Sequence, residues 1–184
     1  MTVEKTAVAA VAGLMALAAR TAPKAKGEDT ILVRVLAGKE LKTLSVAMSE
    51  YGEKHELGFF LRDAKNVASS DACVLIGAKG KIVTGINCGA CGYQNCAEFE
   101  KEAKSRKSGA MPFAGPNCAV RMTDLGIAVG SAVKTAQIHN VDNRIMYSAG
   151  SVAVALRLLE KDCTVAYGIP LSASGKNIFF DRSR

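Results

Sequence analysis

Four of the six cysteines lie in one segment of the chain, between residues 88 and 118. Cys88 and Cys91 are separated by two residues, Cys96 follows after four more, and Cys118 comes after a further 21. Three thiolates held this close together can bind three corners of one cubane cluster, and a fourth from a distant turn completes four-cysteine coordination. The spacing therefore predicts a [4Fe–4S] site with Cys88, Cys91, Cys96 and Cys118 as ligands, and a redox function.

Zinc is the main alternative, because zinc and iron–sulfur clusters both accept four thiolates in a tetrahedral arrangement. Structural zinc usually uses two Cys-x2-Cys pairs, whereas this chain has one such pair followed by single cysteines. Gly89 and Gly92 also stand where the backbone must bend around an inorganic core. The pattern favours an iron–sulfur cluster over a zinc-stabilised interaction module and over free or disulfide-bonded thiols.

The other two cysteines and both histidines are predicted to have no ligand role. Cys73 and Cys163 each fall in a predicted strand, where a free cysteine usually serves as a small buried hydrophobe. His55 and His139 stand alone near the ends of predicted helices, where a histidine is favoured by the helix dipole in any case. No Ser/His/Asp arrangement or acid–base pair of carboxylates is visible, so the sequence does not support hydrolytic chemistry.

The charge of the chain argues against nucleic-acid binding. The formal net charge is +7, but the cations are scattered and aromatic residues make up only 5% of the 184 residues. A single-strand binder needs a stacking platform of aromatic side chains, which this composition does not offer. The one dense basic cluster, Lys101, Lys104, Arg106 and Lys107, follows the cysteines directly, so it is a candidate for steering an acidic redox partner protein.

The amino-terminal segment Ala7 to Ala19 is an unbroken run of 13 residues without charge. This length is too short to span a bilayer, and the preceding Glu4 is not typical of a signal peptide. We therefore interpret the run as part of a buried helix. Cysteines grouped at ligand spacing, rather than spread as a disulfide framework, indicate a reducing compartment, and we expect a cytoplasmic protein.

The apolar pattern predicts helices that alternate with a few short strands. The predicted strands are Ile31–Leu36, Asp71–Gly77 and Cys163–Gly168, with a loop from Ile169 to Lys176. The predicted helices are Val3–Arg20 with Thr2 as N-cap, Lys39–His55, Ala97–Arg106, Asp124–His139 capped by Thr123, and Arg144–Glu160 capped by Asn143.

These elements predict an α/β (α+β) fold, a sheet flanked by helices, with a cysteine-rich insertion. Residues 1–86 and 123–184 form the predicted scaffold domain, and residues 87–122 form the iron–sulfur insertion. The first helix and the two helices after residue 123 are apolar over most of their surface. We therefore expect a homodimer, which would cover surface that a single chain leaves exposed.

The pattern Cys-Gly-x-Cys-Gly-x3-Cys, from Cys88 to Cys96, resembles the iron–sulfur module of electron-transport complex subunits and of corrinoid iron–sulfur proteins. Together with the ending from Gly168 to Arg182, nearly the whole chain resembles an uncharacterised prokaryotic family of ferredoxin-domain-containing proteins. The resemblance implies an iron–sulfur cofactor and electron transfer. It does not identify the donor, the acceptor or a substrate.

The flanks of the cysteine segment are similar to the nitroreductase family. The similar segments are Ala18 to Pro23, Asp124 to Ala128, and Gly168 to Pro170. This resemblance implies an α+β fold, FMN bound at a dimer interface and hydride transfer from NAD(P)H, so it leaves open an oxidoreductase. The arginine-rich segment that grips the flavin phosphate in that family is absent, and Lys24, Lys26 and Arg182 are the candidates to replace it.

Overall fold

A four-stranded antiparallel sheet lies between two layers of helices in the computed structural model, which describes residues 2–105 and 112–180. The strands are β1 (Ile31–Ala37), β2 (Ala72–Ala78), β3 (Asp142–Asn143) and β4 (Val165–Ser172), in the spatial order β1-β2-β4-β3. The helices are α1 (Val3–Thr21), α2 (Lys39–Lys54), α3 (Gly58–Ala68), α4 (Cys96–Ser105), α5 (Ala119–Ile138) and α6 (Tyr147–Ala155).

Strand β2 divides the interior into two cores because its side chains alternate between the two faces of the sheet. Val74 and Ile76 face a core shared with α1 and α5, whereas Cys73 and Leu75 face a core shared with α2, α3 and α6. All seven residues of β2 are buried, as expected for a central strand covered by helices on both faces. The predicted architecture of a sheet flanked by helices is confirmed.

The amino-terminal half follows the sequence pattern closely. Helix α1 begins after Thr2, whose side chain accepts a hydrogen bond from the backbone amide of Lys5, so the predicted N-cap is confirmed. Strands β1 and β2 and helices α2 and α4 lie within one residue of the predicted boundaries over the described residues. Helix α3 has no counterpart in the prediction, although Phe60, Ala64 and Val67 bury one face of it at helical spacing.

Two predicted helix starts in the carboxyl-terminal half are wrong. Helix α5 begins five residues earlier than predicted, with Cys118 as N-cap, and the hydroxyl of Thr123 bonds within the helix to the carbonyl of Ala119. Asn143 does not cap a helix, because it pairs with Leu171 in the sheet as part of β3. Helix α6 is correspondingly short, and Arg157 with a φ of 54° lies just beyond its end.

Strand β4 continues through residues that the sequence predicted to be a loop. Ile169 to Leu171 pair with β2 on one side, and Leu171 and Ser172 pair with β3 on the other. Ile169 and Leu171 are fully buried in the core beneath α1 and α5. The loop prediction fails here because burial between two layers of helices outweighs the local turn signal of Pro170 and the serines.

The cysteine segment has a small hydrophobic core of its own, formed by Phe99, Ala103 and Cys118. The predicted division into a scaffold and an insertion at residues 87–122 stays a prediction. Among the described helices none is both long and apolar enough to cross a membrane.

Candidate metal centre

The four predicted ligands differ in how far they are exposed to solvent. Cys88 is exposed, Cys91 and Cys96 are half-buried, and Cys118 is buried. None of the four forms a disulfide bond. The first three therefore lie nearer the surface than the fourth.

The loop that carries Cys88 and Cys91 bends at residues with positive φ. Gly89 and Gly92 have φ values of 70° and 85°, and the amide of Gly92 donates to the carbonyl of Gly89 at 2.9 Å. Asn87, with a φ of 49°, accepts a hydrogen bond from the amide of Cys96 at 2.8 Å through its side-chain oxygen. The predicted bends at both glycines are confirmed, and the Asn87 bond brings the start of the loop to the start of α4.

Phe99 brings two of the four cysteines to one small core. Its ring is fully buried, and Cys118 and Cys91 both pack in the hydrophobic cluster around it. Tyr93 meets Phe99 edge-on, with ring centroids 5.5 Å apart. Phe99, three positions after Cys96 on α4, thus links the Cys-x2-Cys loop to Cys118.

Cys118 lies at the amino terminus of α5, where unpaired backbone amides favour a negative charge. Burial of Cys118 tends to raise the pKa of its thiol, but hydrogen bonds from the amides of Arg121, Thr84 and Val120 and from the Thr84 hydroxyl outweigh this effect. The net result is a lowered pKa. Thiolate is the form in which cysteine binds a metal or cluster.

A chain of hydrogen bonds fastens the segment before Cys118 to the sheet. The amide of Cys118 donates to the carbonyl of Gly80 at 2.8 Å, and the amide of Gly80 donates to the Thr164 hydroxyl at 3.0 Å. Thr164 in turn donates to the side-chain oxygen of Asn117 at 2.5 Å. Because these partners lie next to β2 and β4, the position of the fourth cysteine is set by the scaffold.

Arg121, in the first turn of α5, is the residue near the site that sequence reasoning missed. Its side chain is fully buried and forms ion pairs with Glu28 and Asp124. Its guanidinium also donates to the carbonyls of Ala25 and Ile82, each at 3.3 Å. Asp124 accepts the amide of Ala25 at 2.9 Å, so the network holds the loop after α1 against the helix that begins at Cys118.

The donor set fits an iron–sulfur cluster: four thiols in one segment, one of them with a lowered pKa, and a loop bent at two glycines. Among residues 2–105 and 112–180, no three His, Cys, Asp or Glu side chains are already gathered around a common point. The structure brings Cys91 and Cys118 into one core and leaves Cys88 at the surface.

The remaining cysteines lie inside the scaffold. Burial raises the pKa of the Cys73 thiol to about 12, and burial likewise raises that of Cys163 to about 11. Their predicted burial is confirmed, and both are neutral thiols at physiological pH. His55 lies at the end of α2 with its ring 4.3 Å from that of Tyr51, and His139 is the exposed C-cap of α5.

Lys24 and Lys26, the two described candidates for binding a flavin phosphate, donate hydrogen bonds to backbone carbonyls. The ammonium of Lys24 donates to the carbonyls of Arg20 and Ala22 at 2.5 and 2.8 Å, and its side chain is almost fully buried. The ammonium of Lys26 donates to the carbonyl of Thr84 at 3.2 Å. The third candidate, Arg182, lies outside the described residues.

Sequence comparisons agree with this site. Residues 114–182 match the family described as "Uncharacterized protein containing a ferredoxin domain", and residues 85–108 match the family described as "Putative Fe-S cluster". An uncharacterized protein of Archaeoglobus fulgidus is 47% identical over 170 residues, which cover 92% of this chain and 89% of that protein. The chain belongs to the ferredoxin-domain family. Its cofactor class is therefore iron–sulfur, and the second match includes Cys88, Cys91 and Cys96.

Structure comparisons identify the fold of the scaffold as that of nitroreductases. Nitroreductase CinD from Lactococcus lactis superposes with a TM-score of 0.61 at 10% identity, over 91% of this chain and 79% of that one. A nitroreductase family protein from Clostridium novyi gives 0.51 at 14% identity over 97% and 80%. The NADPH:FMN oxidoreductase of Vibrio harveyi gives 0.54 at 9% identity, and this chain spans 60% of it. At these identities the likeness concerns the fold alone.

Proposed function

We propose that the protein is a [4Fe–4S] electron-transfer protein in which Cys88, Cys91, Cys96 and Cys118 bind one cluster. The observation that carries the proposal is the pairing of an iron–sulfur sequence match over residues 85–108 with a buried Cys118 that packs in the same small core as Cys91. Four cysteine thiolates are the usual ligands of a [4Fe–4S] cluster.

Each part of the module has a distinct role in this proposal. The amides at the start of α5 stabilise negative charge on the Cys118 sulfur, and Phe99 keeps water from that side of the module. The exposed Cys88 lies on the side from which a partner approaches. A bound cluster supplies reversible one-electron chemistry.

Anaerobic purification followed by iron, sulfide and zinc analysis tests the proposal. We expect about four iron and four sulfide per chain and the broad visible absorption of an iron–sulfur cluster. Cys118→Ser should lower iron and sulfide content, whereas the matched control Cys163→Ser should retain both, since Cys163 is buried elsewhere in the scaffold. Stoichiometric zinc without sulfide would contradict the proposal and favour the zinc-stabilised interaction module.

The electron partner is proposed to be another protein that docks beside Cys88. In the described part of α4, carboxylates offset the charge of the predicted basic cluster. Lys101 and Lys104 alternate there with Glu98, Glu100 and Glu102. Arg106 and Lys107 lie outside the described residues. We therefore base the docking proposal on the exposure of Cys88 and of the neighbouring Ile86 rather than on charge.

A flavin-dependent oxidoreductase with an added cluster is the second candidate. The nitroreductase fold favours it, since one protein that shares this fold is described as an oxidoreductase containing FMN and another as an NADPH:FMN oxidoreductase. Lys24 and Lys26 donate hydrogen bonds to backbone carbonyls, which counts against binding of a flavin phosphate at these positions. Flavin fluorescence in the supernatant of heat-denatured protein, after reconstitution with FMN, would support this candidate, and its absence would exclude it.

We also propose a homodimer in a reducing, cytoplasmic compartment. Large apolar side chains are exposed on α1 and on α5, among them Val3, Leu17 and Ile138. Such surface is usually covered by a partner. All six cysteines are free, as expected where thiols are kept reduced.

A further inference from the structure

A cavity of about 380 Å³ opens where the cysteine segment leaves and rejoins the scaffold. Lys81 and Ile82 line it on the outgoing chain, and Pro112 and Ala114 line it on the returning chain. The opposite wall comes from residues 154–164, between the end of α6 and the start of β4. This volume lies at the lower end of the roughly 300–1,000 Å³ that is usual for small-molecule sites.

The cavity carries an excess of positive charge. Four cations line it, Lys79, Lys81, Arg157 and Lys161, against two carboxylates, Glu160 and Asp162, which leaves two positive charges in excess. Both carboxylates pair with Lys79, at 2.6 and 3.0 Å. Within the described residues, Lys81, Arg157 and Lys161 form no ion pair with a carboxylate, and the ammonium of Lys81 donates to the carbonyl of Ala103.

Apolar side chains form the rest of the wall. Ile82, Pro112 and Val154 present hydrocarbon surface to the same space as the cations. A ligand that suits both parts combines an anionic oxygen group with an apolar body, because each part then meets a complementary surface. A bare inorganic anion would leave the apolar wall in contact with water.

The walls are held by contacts that also position the fourth cysteine. The amide of Ala114 donates to the carbonyl of Thr164 at 3.3 Å, and the ring of Phe113 meets that of Tyr147 edge-on at 5.3 Å. Gly80, between the lining residues Lys79 and Lys81, accepts the amide of Cys118 at 2.8 Å. A ligand in the cavity therefore lies against the same peptide segment that supports Cys118.

We propose that this cavity binds a small organic anion, a molecule with a carboxylate or phosphate group and an apolar body, held through Lys81, Arg157 and Lys161. Binding rests on the cavity and its charges and does not require the cluster. A role for the bound anion as an electron acceptor would rest on the proposed function, because the electron would then come from the cluster beside Cys118.

Ligand-observed NMR titration of the full chain with three probes of similar shape tests the proposal. Benzoate and phenyl phosphate carry the anion, and benzamide is the neutral control. We expect at least one anionic probe to bind about tenfold or more tightly than benzamide, because only the anions use the excess positive charge. The tighter of the two anions distinguishes a carboxylate site from a phosphate site.

Variants locate the binding in the cavity. Arg157→Gln combined with Lys161→Gln should weaken binding about tenfold, and Ala155→Trp should block it by filling the space. Lys101→Gln, an exposed lysine on α4 outside the cavity, is the matched control and should change affinity by less than about twofold. Equal binding of benzamide, no binding of either anion, or the same loss in the Lys101 control would overturn the proposal.

The same titration on Cys88→Ser separates this inference from the proposed function. Anion binding that persists in the variant without iron and sulfide would support the cavity site. It would contradict the electron-transfer proposal only if the unaltered chain also lacks a cluster. A cluster-loaded chain that binds neither anion would leave the electron-transfer proposal standing and overturn the anion site.

Discussion

The six cysteines have the same side chain and differ only in what surrounds them. Cys118 meets backbone amides at the start of α5, which lower the pKa of its thiol in spite of burial. Cys73 and Cys163 have fewer backbone hydrogen bonds, and burial outweighs these and raises their pKa to about 12 and about 11. Surroundings rather than residue type therefore separate the proposed ligand Cys118 from the two packing residues.

Alkylation of the cluster-free chain with iodoacetamide checks this separation. At pH 8 about one in a thousand Cys163 side chains is thiolate, and fewer still of Cys73, whereas Cys88 is exposed. We expect Cys88 to be modified first and Cys163 to stay protected until the pH rises towards about 11. Peptide mass spectrometry over a time course measures the order, and early modification of Cys163 in folded protein would contradict the assignment.

At the scale of elements, the start of α5 is where the scaffold and the cysteine module meet. Cys118 stands at the N-cap position of α5, and one turn later the buried Arg121 ties the helix to the loop after α1 through Glu28 and Asp124. The sequence did not reveal this role, because Ala25 and Glu28, which Arg121 contacts across the fold, lie more than ninety residues away along the chain.

Arg121→Met should destabilise the protein by about 3–5 kcal/mol, because it leaves the buried carboxylate of Asp124 without its charged partner. Glu28→Gln should cost ~1 kcal/mol or less, since the Glu28 side chain is half exposed. Urea unfolding of both variants under the same conditions measures the difference. Equal costs would show that Asp124 does not depend on Arg121.

Helix α6 packs so closely on β4 that one glycine has no room for a methyl group. A Cβ added at Gly150 would lie 2.0 Å from the carbonyl oxygen of Ala166, whereas one added at Gly130 in α5 would meet nothing within 4 Å. We expect Gly150→Ala to destabilise by at least about 1–3 kcal/mol. Gly130→Ala should stabilise by about 0.5–1 kcal/mol through helix propensity. Thermal unfolding of the two variants checks both signs.

At the scale of the whole molecule, the chain has the nitroreductase fold, and its cysteine segment has a small hydrophobic core around Phe99. The two layers of helices bury the sheet on both faces, yet the outer surface of α1 still exposes large apolar side chains. This arrangement motivates the dimer proposal.

Light scattering should give a particle of about twice the chain mass of 19.3 kDa. Leu17→Glu, on the outer surface of α1, should convert the dimer to a monomer without large loss of stability, because Leu17 is exposed within one chain. Val46→Glu, at a position on α2 in the opposite layer that is also exposed, is the matched control and should remain dimeric. A monomer for the unaltered chain at micromolar concentration would exclude the dimer.

The sequence by itself determined the local features of this protein. Cysteine spacing indicated the iron–sulfur module, Gly89 and Gly92 marked its bends, and apolar periodicity located α1, α2, β1 and β2, because these signals depend on neighbours in the chain. The start of α5 at Cys118, the strand pairing of Asn143 and the extension of β4 depended on partners distant in sequence. The Arg121 network and the basic cavity likewise exist only where folding brings separate segments together, so only the tertiary structure decided them.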